Sequence, residues 1–210
     1  MVGHPHAPGE AHLQAVDASL AAMIATVGPC AMQFREDRFG ALVSAIISQQ
    51  VASAAATTIH RRMCELLPDH VPTPEAIAAL SPEQLRSAGL SGQKAKYLQA
   101  LAAFVVDKRL DLQALDQMTD DEVASALVAV PGIGRWTADM FLIFSLRRPD
   151  VLPLGDLAVR EAFMHHYGLE KGDFPHKAVA IAQAWRPWRS LACWYFYRDA
   201  DARKGRAPVV

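Results

Sequence analysis

Hydrophobic positions recur with helical spacing along nearly the whole chain. Between residues 12 and 27 they fall at Leu13, Leu20, Ile24 and Val27, which predicts a helix that ends before Gly28. The same spacing predicts helices over residues 38–48, 51–67, 93–108, 120–130, 157–167, 175–185 and 190–199. No stretch keeps the strict alternation of a half-buried strand, so the pattern predicts an all-α protein.

Three short motifs mark the starts of further helices. Thr73-Pro74-Glu75 and Ser81-Pro82-Glu83 each place a hydroxyl at the N-cap, proline at the first helical position and an acid in the first turn. Thr119 and Glu122 have the spacing of a capping box. Two short helices and a longer one that ends near residue 130 are therefore expected.

A tight turn follows that longer helix. Pro131, Gly132 and Gly134 interrupt the helical pattern, and a second apolar helix begins near Arg135. The result is a helix, a hairpin and a helix over about residues 127–145. Without Cβ atoms at the glycines, an external group can approach the main chain and the N–H groups of the second helix. The sequence predicts a phosphate-binding hairpin.

Two segments together resemble a known family. The first is Pro131-Gly132-Ile133-Gly134-Arg135-Trp136-Thr137-Ala138-Asp139, followed about twenty residues later by Asp156 behind a proline loop. The second is Trp185-Arg186-Pro187-Trp188-Arg189-Ser190. In this order they resemble the helix-hairpin-helix DNA glycosylases, and more narrowly the 3-methyladenine DNA glycosylase II branch, over roughly residues 35–198.

The resemblance implies one compact all-α domain over residues 1–210, without the N-terminal α/β lobe of larger members. It implies two helical lobes flanking a DNA-binding cleft. One lobe would comprise residues 39–129. The other would combine residues 1–38 with 130–210, including the hairpin.

Asp156 is the catalytic residue that the resemblance implies. A carboxylate beneath the sugar stabilises the positive charge that builds as a base leaves. From the residues alone, an Asp before an apolar helix is also a typical N-cap. Both interpretations stay open at this point.

Further site residues follow from the resemblance. Trp136 and Tyr197 would stack on the flipped base, with Tyr197 where the branch has Trp. The expected DNA contacts are Gly132, Gly134, Arg135, Thr137, Gln50 and Lys94. Of these, Gln50 would fill the hole left by the extracted base. A polar helix junction at Gln50 and a merely solvated helix start at Lys94 are the alternatives.

Charge and hydropathy argue against a membrane protein or a secreted protein. The net charge of −1 divides into −5 over residues 1–130 and +4 over residues 131–210, so the basic part contains the hairpin. No apolar run is long enough to span a membrane, and the first residues lack a signal-peptide pattern. We expect a monomer inside the cell with access to DNA, neither secreted nor bound to a membrane.

No required cofactor is expected. Three cysteines cannot provide the four ligands of the iron-sulfur cluster that some relatives carry. The eight histidines form no recognisable ligand set, and His4 and His6 fall in an expected flexible start. The resemblance does allow a structural cation at the hairpin's backbone carbonyls.

Three functions remain as hypotheses. The first is a monofunctional glycosylase for alkylated purines such as 3-methyladenine and 7-methylguanine in double-stranded DNA. The second is a bifunctional glycosylase/lyase for oxidised bases, and the third is a non-catalytic DNA-binding module. Glycosylase/lyases have a nucleophilic lysine where this chain has Trp136, and the guanidinium of Arg135 cannot replace it. The sequence leaves the damaged-base spectrum open.

Overall fold

A computed structural model describes residues 4–205, and the regular secondary structure in that range is helical, with no strand, so the all-α prediction is confirmed. Two short 3₁₀ turns cover Pro68–His70 and Ala114–Gln117. The α-helices are α1 Ala7–Val16, α2 Ala18–Val27, α3 Arg38–Ser48, α4 Ser53–Cys64, α5 Pro74–Ala78, α6 Pro82–Ser87, α7 Gly92–Val106, α8 Asp120–Val128, α9 Arg135–Phe144, α10 Leu157–Tyr167, α11 His176–Ala182 and α12 Arg189–Arg203. Within this range no helix is long and apolar enough to cross a membrane.

The chain divides into two compact units. The central unit is Arg35–Leu146, and the terminal unit combines the chain before and after it. This grouping differs from the expected lobes, because the hairpin and α9 belong to the central unit. The reason is packing: α9 lies against α8 and α3, and Ala138 and Leu142 on α9 are fully buried there.

The core of the central unit forms around α3 and α7. Leu42, Val43 and Ile46 on α3 and Leu98 and Leu101 on α7 have no more than 1% of their surface exposed. Helix α7 also packs against α5 and α6. Each such side chain contributes about 1.5–3 kcal/mol by leaving water. The hairpin is connected to this core because α9 packs on α3.

The aromatic residues of the C-terminal segment form the core of the terminal unit. Phe163 stacks on Trp185 with ring centroids 5.3 Å apart, and Phe196 meets both rings edge to face. Trp185 and Phe196 are fully buried, and Trp194 is 7% exposed. These three rings are core residues in this structure.

The expected single helix over residues 12–27 is wrong, because the chain breaks at Asp17. This residue is extended (φ −146°, ψ 112°), and its Oδ1 accepts a hydrogen bond from Leu20 N–H at 2.9 Å. Its Oδ2 accepts from the Tyr167 hydroxyl at 3.0 Å and from Trp185 Nε1 at 2.8 Å. Those long-range donors stabilise a break that local spacing does not show.

The first described residues are also more ordered than expected. Helix α1 begins at Ala7, and His4 Nε2 lies 2.7 Å from the Glu10 carboxylate. Glu10 in turn accepts from Cys30 N–H and from the Tyr195 hydroxyl, both at 2.7 Å. The first described residues are therefore tied to α12 through a buried acid. By contrast, the caps expected at Thr73, Ser81 and Thr119 are all formed.

Candidate active site

The hairpin between α8 and α9 requires glycine at one position. Gly132 has φ +93°, a conformation that L side chains rarely adopt, and a Cβ there would lie 2.3 Å from Cγ of Tyr97. Gly134 has φ −96°, and a Cβ there would meet nothing within 4 Å. Gly132 is therefore fixed by backbone and packing, whereas Gly134 leaves space outside the chain open.

The start of α9 has no side-chain cap. Gly134 occupies the N-cap position and has no side chain to accept a hydrogen bond from the first turn. Helices α8 and α10 differ, since Thr119 and Asp156 cap them. Because the first N–H groups of a helix have no intrahelical partner and carry its positive dipole end, the start of α9 suits an anion.

Arg135 is engaged within the hairpin helices. Its Nε donates to Asp139 Oδ1 at 2.9 Å, and one terminal nitrogen lies 3.7 Å from the Asp121 carboxylate. Asp139 is 4% exposed, and this burial raises its pKa, partly opposed by the hydrogen bond from Arg135. The side chain of Arg135 remains 64% exposed. Its DNA contact stays a prediction, and so does that of Thr137, whose side chain is buried.

The turn between α3 and α4 presents Gln50 to solvent. Gln50 has φ +56° and is exposed, and the neighbouring Val51 is 38% exposed. A non-glycine residue with positive φ is uncommon and is held there by its surroundings. The position suits a residue that reaches outward, as the sequence predicted for Gln50.

Lys94 has a structural contact that the sequence did not suggest. Its Nζ donates to the carbonyl of Ile47, near the end of α3, at 2.6 Å. Partial burial lowers the pKa of this lysine. A cation at a helix C-terminus stabilises the last carbonyls. A phosphate contact by Lys94, which stays a prediction, would compete with this bond.

Asp156 caps α10. It has extended backbone (φ −79°, ψ 132°), and its Oδ1 accepts from Val159 N–H at 3.0 Å. The carboxyl group is buried, with 7% of the residue exposed. Capping fixes the orientation of the carboxylate, and the helix dipole favours its negative charge. The structure therefore shows the N-cap interpretation, and that geometry also suits a fixed catalytic carboxylate.

The loop before Asp156 is anchored by residues that sequence reasoning did not single out. Ser190 Oγ accepts from Val151 N–H at 2.9 Å and donates to the Arg148 carbonyl at 2.7 Å. Arg189 binds the Asp150 side chain through Nε at 2.7 Å and the Asp150 carbonyl at 2.7 Å. The signal was available, because Arg189 and Ser190 belong to the second resemblance segment. These bonds hold the loop at the start of α12.

The two expected base-pocket residues belong to different units. Trp136 lies on α9 in the central unit and is 49% exposed. Tyr197 lies on α12 in the terminal unit and is half-buried. Their roles stay predictions. Within residues 4–205 no three His, Cys, Asp or Glu side chains are placed to hold a metal ion, and the three cysteines are free.

A glycine turn between two helices, an uncapped second helix and a buried carboxylate behind a proline loop define a helix-hairpin-helix protein. The chain belongs to the HhH-GPD superfamily of base excision DNA repair proteins, which it matches over residues 43–190. The resemblance found in the sequence is confirmed.

Several relatives extend over almost the whole chain. DNA-3-methyladenine glycosylase 1 of Schizosaccharomyces pombe is 29% identical over 205 residues, covering 95% of this chain and 90% of the relative. The crystal structure of a DNA-3-methyladenine glycosidase from Bacillus halodurans has a TM-score of 0.83 at 32% identity, covering 94% of this chain and 91% of that one. The S. pombe 3-methyladenine DNA glycosylase bound to abasic DNA has a TM-score of 0.78 at 28% identity, covering 92% and 97%.

Proposed function

We propose that this protein is a monofunctional DNA glycosylase that removes alkylated purines from double-stranded DNA. The observation that carries the proposal is Asp156, a buried carboxylate fixed at the start of α10, in a chain whose hairpin leads into a helix with no side chain at its N-cap. Relatives of nearly the same length bear the name 3-methyladenine DNA glycosylase. In a non-catalytic DNA-binding module Asp156 would be a helix cap only, the role that Asp37 has at the start of α3.

The chemistry requires one carboxylate. As the bond from the sugar C1′ to the base breaks, positive charge develops on the sugar and the Asp156 carboxylate stabilises it. Water then adds to C1′ and loses a proton. An alkylated purine such as 3-methyladenine already carries positive charge, so it leaves without a general acid. The products are a free base and an intact strand with an abasic site.

DNA binding is proposed for the central unit. The N–H groups at the start of α9 would bind a backbone phosphate, and Gly134 leaves room for it. Gln50 would enter the space vacated by the flipped nucleotide. Trp136, exposed on α9, offers an aromatic face to a cationic base. We propose that the protein acts as a monomer.

No cofactor takes part in this proposal. A cation at the hairpin would bind backbone carbonyls, two of which already accept hydrogen bonds. The Gly132 carbonyl accepts from Gln49 Nε2 at 2.8 Å, and the Val130 carbonyl accepts from Ile133 N–H at 3.1 Å. Each oxygen has a second lone pair, so these hydrogen bonds leave both carbonyls able to bind a structural cation. The chemical step does not involve it.

The decisive experiment is chromatography of the bases released from methylated, oxidised and uracil-containing duplexes. We expect release of 3-methyladenine and 7-methylguanine, with strand breaks appearing only after alkali. Release of oxidised bases alone would overturn the assignment to alkylated purines. No release from any duplex would favour the non-catalytic alternative.

Borohydride trapping separates this proposal from the glycosylase/lyase alternative. We expect no covalent enzyme–DNA adduct, because Trp136 occupies the lysine position and the Arg135 guanidinium stays protonated. An efficiently trapped complex would establish the bifunctional mechanism instead.

A further inference from the structure

The turn that carries Gln50 is bonded to the hairpin. Gln49 Nε2 donates to the Gly132 carbonyl at 2.8 Å, across 83 residues of sequence. Gln49 is half-buried, and both residues belong to the central unit. A partly shielded amide-to-carbonyl bond of this length is well formed. It connects the two backbone turns to which DNA contacts are assigned above.

The acceptor of this bond is held in place. The backbone of Gly132 has φ +93°, and it packs so closely on Tyr97 that a Cβ would overlap the ring. Tyr97 lies on α7, whose neighbouring Leu98 is fully buried in the core. The Gly132 carbonyl therefore acts as a fixed reference point for any side chain that binds it.

The donor is held at its other end. Gln49 is the C-cap of α3 (φ −56°, ψ 125°), and its N–H points to the Ile46 carbonyl at 3.4 Å. Two residues before Gln49, in the last turn of α3, the Ile47 carbonyl accepts a hydrogen bond from Lys94 Nζ at 2.6 Å. The chain then turns into the left-handed conformation at Gln50. The Lys94 bond and the Gln49 bond together hold the end of α3. The Gln49 side chain therefore fixes the backbone position from which the Gln50 side chain extends.

We propose that Gln49 is a positioning residue that sets the location of Gln50 relative to the phosphate-binding hairpin. It acts through Gln50 and the Gly132 carbonyl, without itself contacting the reacting atoms. A duplex phosphate bound at the start of α9 would thereby fix the point at which Gln50 enters the stack. This inference rests on the proposed function only in that both turns contact DNA.

The test uses Gln49→Met, which keeps the length of the side chain and removes its donor. Gln99→Met is the matched control, because Gln99 Nε2 also donates to a backbone carbonyl of the central unit, that of Leu80, at 3.1 Å. For the full-length protein and each variant, the affinities for a duplex with a tetrahydrofuran abasic analogue and for the intact duplex are measured, together with thermal unfolding. The ratio of the two affinities is the preference for the gap.

We expect Gln49→Met to reduce this preference about two- to tenfold, the range that one net hydrogen bond supplies. Gln99→Met should leave the affinity ratio unchanged, while its melting temperature falls by about as much as that of Gln49→Met. In a double-mutant cycle, Gln50→Ala should add little once Gln49 is changed, because the two residues act in series. Full additivity, or equal ratios for Gln49→Met and Gln99→Met, would overturn the coupling.

Base release separates this result from the proposed function. Wild-type protein that releases alkylated bases while Gln49→Met behaves like its control leaves the function standing and refutes the coupling. Wild-type protein that releases no base refutes the function, and the binding ratios still decide the coupling. A second variant sharpens the assignment: Gln49→Glu retains length but offers no amide donor to the Gly132 carbonyl, so it should not restore the affinity ratio of the wild type.

Discussion

Helices α9 and α10 both begin after a loop that contains proline and glycine, yet their first turns are satisfied in opposite ways. At α9 the N-cap is Gly134, which supplies no side chain, and the space beside it is open. At α10 the N-cap is Asp156, whose own carboxylate accepts from Val159 N–H. One helix start is left for an external anion, and the other holds an internal one.

This difference gives the N-terminus of a helix two different functions in one protein. The unsatisfied N–H groups of a helix start attract negative charge wherever they occur. When that charge comes from a bound phosphate, the helix positions the duplex. When it comes from a side chain of the protein, the helix orients a carboxylate. The most informative experiments exchange or remove these features one at a time.

The largest expected effect is at α10. Asp156→Asn should keep the cap, because Asn and Asp cap helices equally well. It should slow excision about 10²- to 10³-fold or more, since it removes the charge that stabilises the transition state. Single-turnover rates on methylated duplex measure the loss, and affinity for that duplex should stay near wild type.

Asp37→Asn is the matched control for that change. Asp37 caps α3 in the same way, with its Oδ1 accepting from Gly40 N–H at 2.9 Å. It should excise at the wild-type rate. A wild-type excision rate for Asp156→Asn would show that Asp156 is only a helix cap and is not catalytic.

The next effect is at α9. Gly134→Val should weaken binding to damaged and intact duplexes alike, about tenfold or more, because it obstructs a charge-assisted contact worth about 1.5–3 kcal/mol. The fold should tolerate it, since nothing lies within 4 Å of the new Cβ. Binding assays on both duplexes measure the change. Loss confined to damaged DNA would mean that the hairpin recognises the lesion.

Gly132→Ala separates folding from binding at the same hairpin. Its Cβ would overlap Tyr97, and φ +93° disfavours any side chain. We expect a loss of about 1–3 kcal/mol in the free energy of unfolding, the range for a strained backbone position. Chemical denaturation measures it, with Gly134→Ala as the control, whose smaller loss reflects only the poorer N-cap that alanine makes.

A smaller effect is expected at the turn beyond α3. Gln50→Ala should lower affinity for an abasic-analogue duplex severalfold, with a lesser effect on intact DNA, because only the former contains a gap to fill. Competitive binding of the two duplexes measures this. Equal losses on both would identify Gln50 as a polar helix junction.

The smallest effect concerns the second buried acid, Asp139 on α9. Burial raises its pKa above the ordinary value of 3.8, so the folded state binds its proton more tightly than the unfolded state. Its ionised form therefore costs stability, and this cost appears as the pH rises from 3.8 through the raised pKa. The unfolding free energy of the wild type minus that of Asp139→Asn should therefore decrease as the pH rises through that range. A difference that rises with pH would show that the ion pair with Arg135 outweighs burial.

Excision by Asp139→Asn supplies the contrast with Asp156. Both acids are buried, but Asp139 lies within α9 and binds Arg135, whereas Asp156 precedes α10 and caps it. We expect its variant to retain near wild-type excision at neutral pH. A loss as large as that of Asp156→Asn would add a second carboxylate to the mechanism.

Much of this protein is readable from local sequence. Helical spacing predicts the helices, because one face of each must be buried whatever it packs against. The caps at Thr73, Ser81 and Thr119 are equally local, since each bond spans three residues. The hairpin motif and Asp156 stand out for the same reason: turns and N-caps are encoded by neighbouring residues.

Tertiary structure alone decided where distant groups meet. The break at Asp17 depends on donors from Tyr167 and Trp185, about 150 residues or more away, so periodicity could not show it. The hairpin belongs to the central unit because α9 packs on α8 and α3, and Lys94 reaches the Ile47 carbonyl because α7 packs on α3. The Gln49 bond to Gly132 is of the same kind. A local motif fixes the backbone of a few residues, whereas the partner of a side chain depends on which segments the core brings together.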